Sequence, residues 1–508
     1  MKTIQYSLKA IILLSMLTGL LSLNTIGQTD FNLSDYKNPD YQYRSLDFGL
    51  GLTGNNSINK SDYSDNYTNK RNNNSFNGNL ISDYYSTKNS KYYQGSQNYR
   101  FNFSTYGSKN KTEAGISTLS ESTNKANSQY LSVAVNSSNR FYNSRKRFVE
   151  TNLNFSGELG NSTSKNTSDI KTYPYSYKNQ SGNYLISASI PLLVGTGRIE
   201  EVQDARLAVY ILDDLLKSGD LTRTPDKEEI LALSEFITQT KNQRFFDSRI
   251  RKIAEITAID SFLTANGLKG QSDASYYTLI NDNWDNSNGP VRATGRRFSI
   301  GVAPGFDTEF DKATDYSVDS TNSTAFSYFK SKNTDQLDSW NLDAIAQFVC
   351  EKPINLTWQR SSSASLGYSL YSSNSIYKTY NDDMQTGEIK DSEKSPNFSV
   401  GITHSYGYYP NSRTSIRFGA NAYLQQYWRD RKTDDGLTVT NDETNIVSNL
   451  FLNCNYYFSP QLRFSVYVNE AYQFTKEIVN GTGGNPNDVT KANYFSSNIN
   501  ASITYSLF

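Results

Sequence analysis

A single histidine, His404, bounds the chemistry that this chain of 508 residues can perform. A hydroxyl nucleophile needs a base within hydrogen-bond reach, and the candidate partner is Ser362, one apolar segment earlier and on the same side of its strand. His404 shares parity with Val400 and Ile402, so both groups belong to an apolar face. Register between the two segments is not readable from sequence, and the Ser361 to Ser363 run is ordinary in so serine-rich a chain. The expectation is therefore a structural histidine, with no catalytic residue. Three arginines form a second constellation: Arg297, Arg417 and Arg463 fall near the starts of apolar-polar segments and on their polar side. With Asp343, Asn421 and Asn453 they would line an interior, where a ring of guanidinium groups favours anions; the alternative is simple cross-strand hydrogen bonding. A third group, Arg244, Phe245, Phe246, Arg249 and Arg251, reads either as a docking surface for a protein partner or as a solvated helix face beside core aromatics. The acidic pairs Asp382-Asp383 and Asp434-Asp435 lack calcium-loop spacing. Two cysteines outside any metal spacing imply neither a metal nor a disulfide framework, and no cofactor motif occurs. Gly195-Thr196-Gly197 lacks the Gly-Lys-Ser/Thr that a phosphate loop needs, and with Pro191 it reads as the end of a strand and a hinge out of the sheet.

The elements that must position these residues are mostly strands. Period-2 alternation recurs, as in Leu46, Phe48, Leu50 and Leu52, or Trp340, Leu342, Ala344 and Ala346, each with one clean apolar face and one polar one. About fourteen such segments occur, with twelve or sixteen as alternatives. The connections alternate in length. Short ones include Asn143 to Lys146, Pro410 to Arg413 and Ser459 to Gln461; long polar ones include Asn55 to Ser75, Lys312 to Gln336 and Thr475 to Lys491.

One stretch, 199–267, departs from this pattern. Val202, Ala205, Val209, Leu212 and Leu216 make a helical stripe that Gly219 ends. Thr224-Pro225 suits the start of a second helix, which runs with a kink near Gln243 to Asn266-Gly267. The divisions expected are 1–27, 28–198 with six strands, a helical hairpin at 199–267, a return segment at 268–295, and 296–508 with eight strands.

Composition narrows the class. Fifty basic residues balance fifty acidic ones, which argues against a nucleic-acid partner, whose footprint is a basic excess. Lys2 and Lys9 around an apolar core at Ala10 to Leu23, followed by Thr25-Ile26-Gly27, form an export signal with cleavage near Gly27. No later apolar run is long enough for a transmembrane helix.

Alternating strands, length-sorted connections, aromatic residues near strand ends (Tyr406, Tyr408, Tyr456, Phe458) and a C-terminal strand ending in Phe508 together resemble the outer-membrane β-barrel proteins of Gram-negative bacteria, in the Asn- and Tyr-rich style of the Bacteroidota. The resemblance implies an all-β transmembrane barrel in outer-membrane lipid, assembled through its last strand by the barrel assembly machinery. It implies short turns in the periplasm, which would put the helices there after an even number of strands. A Ser-His pair on the lipid side resembles that of outer-membrane phospholipases. The function expected is non-enzymatic: a passive channel for small polar solutes, the alternative being a membrane anchor whose helices or outer loops bind a partner.

Overall fold

The computed structural model describes residues 31–62, 68–115, 120–169, 175–243, 248–285, 292–322, 325–434, 436–459, 461–481 and 488–505. The predicted leader at 1–27 and the C-terminal Phe508 lie outside them. In chain order the strands are β1 (Tyr41–Asp62), β2 (Thr68–Ser90), β3 (Tyr93–Gly115), β4 (Ser120–Tyr142), β5 (Arg147–Asp169), β6 (Tyr175–Ser189), β7 (Leu192–Glu201) and β8 (Ala293–Asn322). They continue with β9 (Ala325–Pro353), β10 (Trp358–Asn381), β11 (Met384–Lys394), β12 (Asn397–Asn411), β13 (Thr414–Lys432), β14 (Thr438–Tyr457), β15 (Leu462–Gly481) and β16 (Asp488–Tyr505). Between β7 and β8 stand α1 (Gln203–Ser218), α2 (Lys227–Lys241), α3 (Ser248–Ala265) and α4 (Ala274–Asp285).

All sixteen strands belong to one antiparallel, barrel-like sheet. Two pairs among them are halves of single strands. β6 and β7 are separated by Ile190-Pro191, and β11 and β12 by Ser395-Pro396. Proline withholds one ladder donor, yet register runs through both interruptions unchanged: β5 meets β6 with Asn154 opposite Ser189 and meets β7 with Thr151 opposite Leu192. The proline carbonyls still accept, Pro191 from the amide of Asn152 at 2.9 Å and Pro396 from that of Trp428 at 3.0 Å. The wall therefore has fourteen strands, as the alternation predicts, and the chain does not leave the sheet at Pro191. Around the sheet each strand pairs with its sequence neighbour, but among the described residues β1 and β16 do not pair with each other.

The long connections predicted from polar composition are largely strand where they are described. β1 and β2 stay paired from Tyr41 opposite Asn89 to Asp62 opposite Thr68, so 55–62 and 68–75 are the outer arms of a hairpin. Asn and Ser are weak strand formers, but cross-strand pairing extends an existing ladder through them, as with Asn56 opposite Asn74.

The two faces of the sheet are inverted relative to a water-soluble protein. Outward residues are apolar and exposed, as in the opposed pair Phe298 and Phe348 and in Ile300 and Leu366, which flank Ala346 from either side. Inward-facing Ser299, Ser339, Gln359 and Ser405 are buried.

Four helices replace the expected hairpin. The predicted kink near Gln243 is a complete break between α2 and α3, and the untyped return segment contains α4. Gly219 stops α1 in the left-handed region at φ 82, as predicted. The cap of α2 lies two residues beyond Thr224: the Asp226 carboxylate accepts from the Glu229 amide, and the Glu229 side chain accepts from the Asp226 amide. This capping box satisfies two free donors at once, where threonine would satisfy one. The core joining the helices contains Leu207, Ile211, Leu215, Leu233, Ile237, Ile259, Leu263 and Ile280, together with Phe31, Leu33 and Tyr36 from the N-terminal segment and Leu356 from the β9–β10 turn. Residues 204–212 of α1 are all buried, so this helix is packed on every side.

Two left-handed positions, Gly197 and Gly295, lie in the β7–β8 ribbon that carries the helices. Both adopt positive φ, 94 and 121, and a Cβ on Gly197 would stand 2.0 Å from the Arg296 carbonyl oxygen. Substitution Gly197→Val should therefore cost more than about 2 kcal/mol from strain and clash combined. The outcome expected is a helical unit cleaved by protease under conditions where the parent chain resists, measured by limited proteolysis with mass spectrometry.

Candidate functional site

The ribbon delivers the helices across the short-turn end of the sheet. Beyond Gly197 the Arg198 guanidinium donates to the Lys91 carbonyl at 3.0 Å and to Asn89 Oδ1 at 2.9 Å, both at the β2–β3 turn, and bridges to Glu200 at 2.6 Å. The Ile199 carbonyl accepts from Gln94 at 3.0 Å. Far round the wall, the Tyr210 hydroxyl donates to the Tyr409 carbonyl at 2.8 Å, and Asp282 of α4 pairs with Arg413 in the β12–β13 turn. Six strands separate the β2–β3 turn from the β9–β10 turn, and eight separate it from the β12–β13 turn, once the broken strands are counted once. In a wall of fourteen these lie on opposite sides, so the helical unit spans the mouth.

Two buried arginines sit at the centre of the contact. Arg292 has no exposure. It donates to the carbonyls of Asn355 at 2.8 Å, Trp358 at 2.9 Å and Leu356, and to Gln359 Oε1 at 3.4 Å, so one guanidinium ties down the whole β9–β10 turn. Burial, then the neighbouring Arg206, pushes it down to about 10, still charged at neutral pH. Arg206 is also buried, on α1, and its charged form is disfavoured chiefly by that burial. It rests against the rings of Tyr210 at 5.8 Å and Tyr409 at 5.7 Å, but its Nε makes no hydrogen bond. A second polar knot holds the N-terminal segment. Asp204 accepts from Thr238 at 2.6 Å and Lys241 at 2.8 Å, and the Tyr36 hydroxyl meets Thr238 at 2.7 Å; burial raises the Tyr36 pKa.

The predicted lining residues face inward, and most are engaged. Arg417 donates to Ser405 at 3.3 Å and stands directly opposite Asn453. Asn421 accepts from Asn449 at 2.7 Å, Asn453 from Asn455 at 2.9 Å, and Asp343 from Asn341 at 2.8 Å. Arg463 lies 5.9 Å from the Tyr457 ring. Arg297 is partly buried on β8, among a group that includes the Arg140–Glu150 ion pair at 2.7 Å. Arg297 and Arg417 are each within four residues of the short-turn end of their strands, and Arg463 is within one.

Of the predicted docking group, Arg244, Phe245 and Phe246 and the side chain of Arg249 lie outside the described residues. Arg251 is committed internally, to Glu255 at 2.7 Å and the Lys241 carbonyl at 3.0 Å, so it closes the α2–α3 corner. Sequence reasoning missed Arg206, Arg292, Tyr210 and Tyr409. Arg206 did leave a signal, a charge immediately beside the apolar stripe of α1; Arg292 left none, because its partners are backbone carbonyls.

Register brings Ser362 and His404 directly opposite each other on the outward face, with Ser362 Oγ 2.8 Å from His404 Nδ1. The imidazole meets Tyr406 edge-on at 5.1 Å, above a cluster of Trp358, Tyr408 and Phe418. Among the described residues, no carboxylate is hydrogen-bonded to the imidazole.

No family model matches the chain, and no curated protein does. Among solved structures it is similar to the translocator domain of autotransporter NalP from Neisseria meningitidis, at 8% identity and a TM-score of 0.20 over 90% of this chain and 97% of that one. It is also similar to the outer membrane protease OmpT from Escherichia coli, at 12% identity and a TM-score of 0.17 over 42% and 87%. At these values neither likeness carries an argument, and the architecture rests on the ladders described above.

The two buried arginines should respond oppositely to the same change. Arg292→Leu strands three turn carbonyls and should loosen the helical unit by about 3 kcal/mol, since hydrogen bonds to charged groups are the strong ones. Arg206→Leu removes an incompletely paired buried charge at similar volume, and should be neutral or stabilising by about 1 kcal/mol. Thermal unfolding of the two variants in detergent checks the contrast; equal destabilisation would refute it.

Proposed function

We propose that the chain is an outer-membrane β-barrel acting as a restricted passive channel for small polar solutes, with its periplasmic mouth spanned by the helical unit. The observation that supports it most is the combination of an outward apolar belt with a polar interior crossed at one end by a docked cap. A soluble sheet has no reason to expose Phe48, Ile300, Leu366 and Ile402 together while burying Ser299 and Ser405. Hydrocarbon outside and water inside would produce this pattern. Aromatic clusters near the short turns, such as Tyr456 against Phe458 at 4.8 Å, suit an interface with lipid headgroups. Export would use the leader at 1–27, and assembly would use the last strand. Interior arginines near the cap would bias passage toward anions.

Conductance in planar bilayers tests this. The full chain is expected to give small steps, and a variant with residues 203–285 replaced by a short turn is expected to give steps several-fold larger. No steps from either protein would sink the channel reading. A second reading, an anchor that docks a periplasmic protein, is favoured by Ile250 and Ile253 of α3, which are 61% and 68% exposed. Silent bilayers together with a partner lost on Ile253→Lys would establish it.

The belt itself gives a sharper test. Leu366→Arg on the outward face should cost about 2–4 kcal/mol if it lies near the midplane, whereas Ser365→Arg, one residue away and inward, should fold normally. Reversible unfolding in lipid vesicles measures both, and equal effects would remove the membrane-spanning reading.

A further inference from the structure

The two edges of the sheet carry information that its interior does not. β1 and β16 are the most exposed strands: Leu50 stands at 73%, Ile499 at 70% and Ile503 at 71%, against 48% for Leu366 inside the wall. Exposure of this degree marks a missing neighbour. β1 runs away from the short-turn end, and with fourteen wall strands β16 runs back toward it, so the two edges are antiparallel.

We propose that these edges pair with each other, Leu50 directly opposite Ile499, closing the wall with a shear of 16. Three observations converge on that register. Directly opposed residues can be followed round the whole sheet: Ser45 leads through Tyr85, Asn98 and Asn136 and arrives, by Asn441 and Val479, at Asp488. If Asp488 closes on Ser61, the outer ends of β1 and β16 finish level, and the path returns to β1 offset by 16 residues, from Ser45 to Ser61. Parity then agrees, because the outward set Leu46, Phe48 and Leu50 meets Ile503, Ala501 and Ile499, while inward Gly49 meets Asn500. Finally, the neighbouring registers are worse. An offset larger by two places Lys60 opposite Lys491, a like-charge pair, and one smaller by two places Arg44 opposite Ile503 within the belt. Sixteen residues over fourteen strands correspond to a tilt of roughly 38°, inside the range that closed barrels adopt.

Hydrocarbon supplies the driving force, since unpaired backbone groups have no partner there; to that extent the proposal rests on the membrane-spanning reading. Its test does not. Cys350 and Cys454 are first changed to Ser, and three double variants are made: Leu50→Cys with Ser497→Cys, Ile499→Cys or Ala501→Cys. The full chain is oxidised in detergent and in vesicles, and linked peptides are identified by mass spectrometry. A Leu131→Cys with Leu159→Cys pair, opposed across β4 and β5, is the control for a folded wall. The expected result is an intramolecular link strongest by several-fold for 50 with 499. A strongest link at 497 or 501 overturns the register. A link between two copies, or none while the control pair links, overturns closure itself. Closure without conductance would leave this inference standing and remove the channel.

Discussion

The backbone ladder is the constraint on which everything else depends. Each wall strand keeps one register with each neighbour over nearly its whole length, and even Pro191 and Pro396 interrupt the hydrogen bonds without shifting it. Because side chains alternate with period two, a slip of one residue would exchange the inner and outer faces of a strand. Register therefore decides which residues are lining and which are belt. It also decides the apparent chemistry: Ser362 and His404 touch because their strands align.

The helical unit depends on the same wall in a different way. It has its own apolar core, and its position comes from the β7–β8 ribbon, from Leu356 of the β9–β10 turn and from polar contacts made to turns. Arg292 shows the economy of that arrangement, holding several carbonyls of one turn with a single side chain. Arg206, 5.7 Å from the Tyr409 ring that Arg292 approaches at 5.5 Å, is only partly accommodated, with its Nε unpaired.

Much of the wall was legible in the sequence because alternation records burial directly. The strand count, the parity of Arg417, Asn421 and Asn453, and the stop at Gly219 all follow from local pattern. The outer hairpins were not legible, since Asn, Ser and Lys at Asn55 to Ser75 lack an apolar face and form strand only because the ladder beneath them is already built. The split into four helices was blurred by a stripe that continues in composition across the break after Gln243. Contacts such as Arg292 with the β9–β10 turn are long-range and run to backbone, so no residue spacing announces them. The Ser362–His404 pairing fell between these cases: parity was readable and register was not.

Strand length has a consequence for the proposed passage. A tilted strand crosses a bilayer with about 9–11 residues, whereas β8 has 30 and β9 has 29. Roughly half of the wall or more would thus stand clear of the membrane as a polar sleeve, extending a passage well beyond the thickness of the hydrocarbon. In the proposed channel, such a sleeve would act as a resistor in series with the capped mouth. Current through it would be limited by its length as well as by the cap, so a small conductance would not by itself imply a narrow pore.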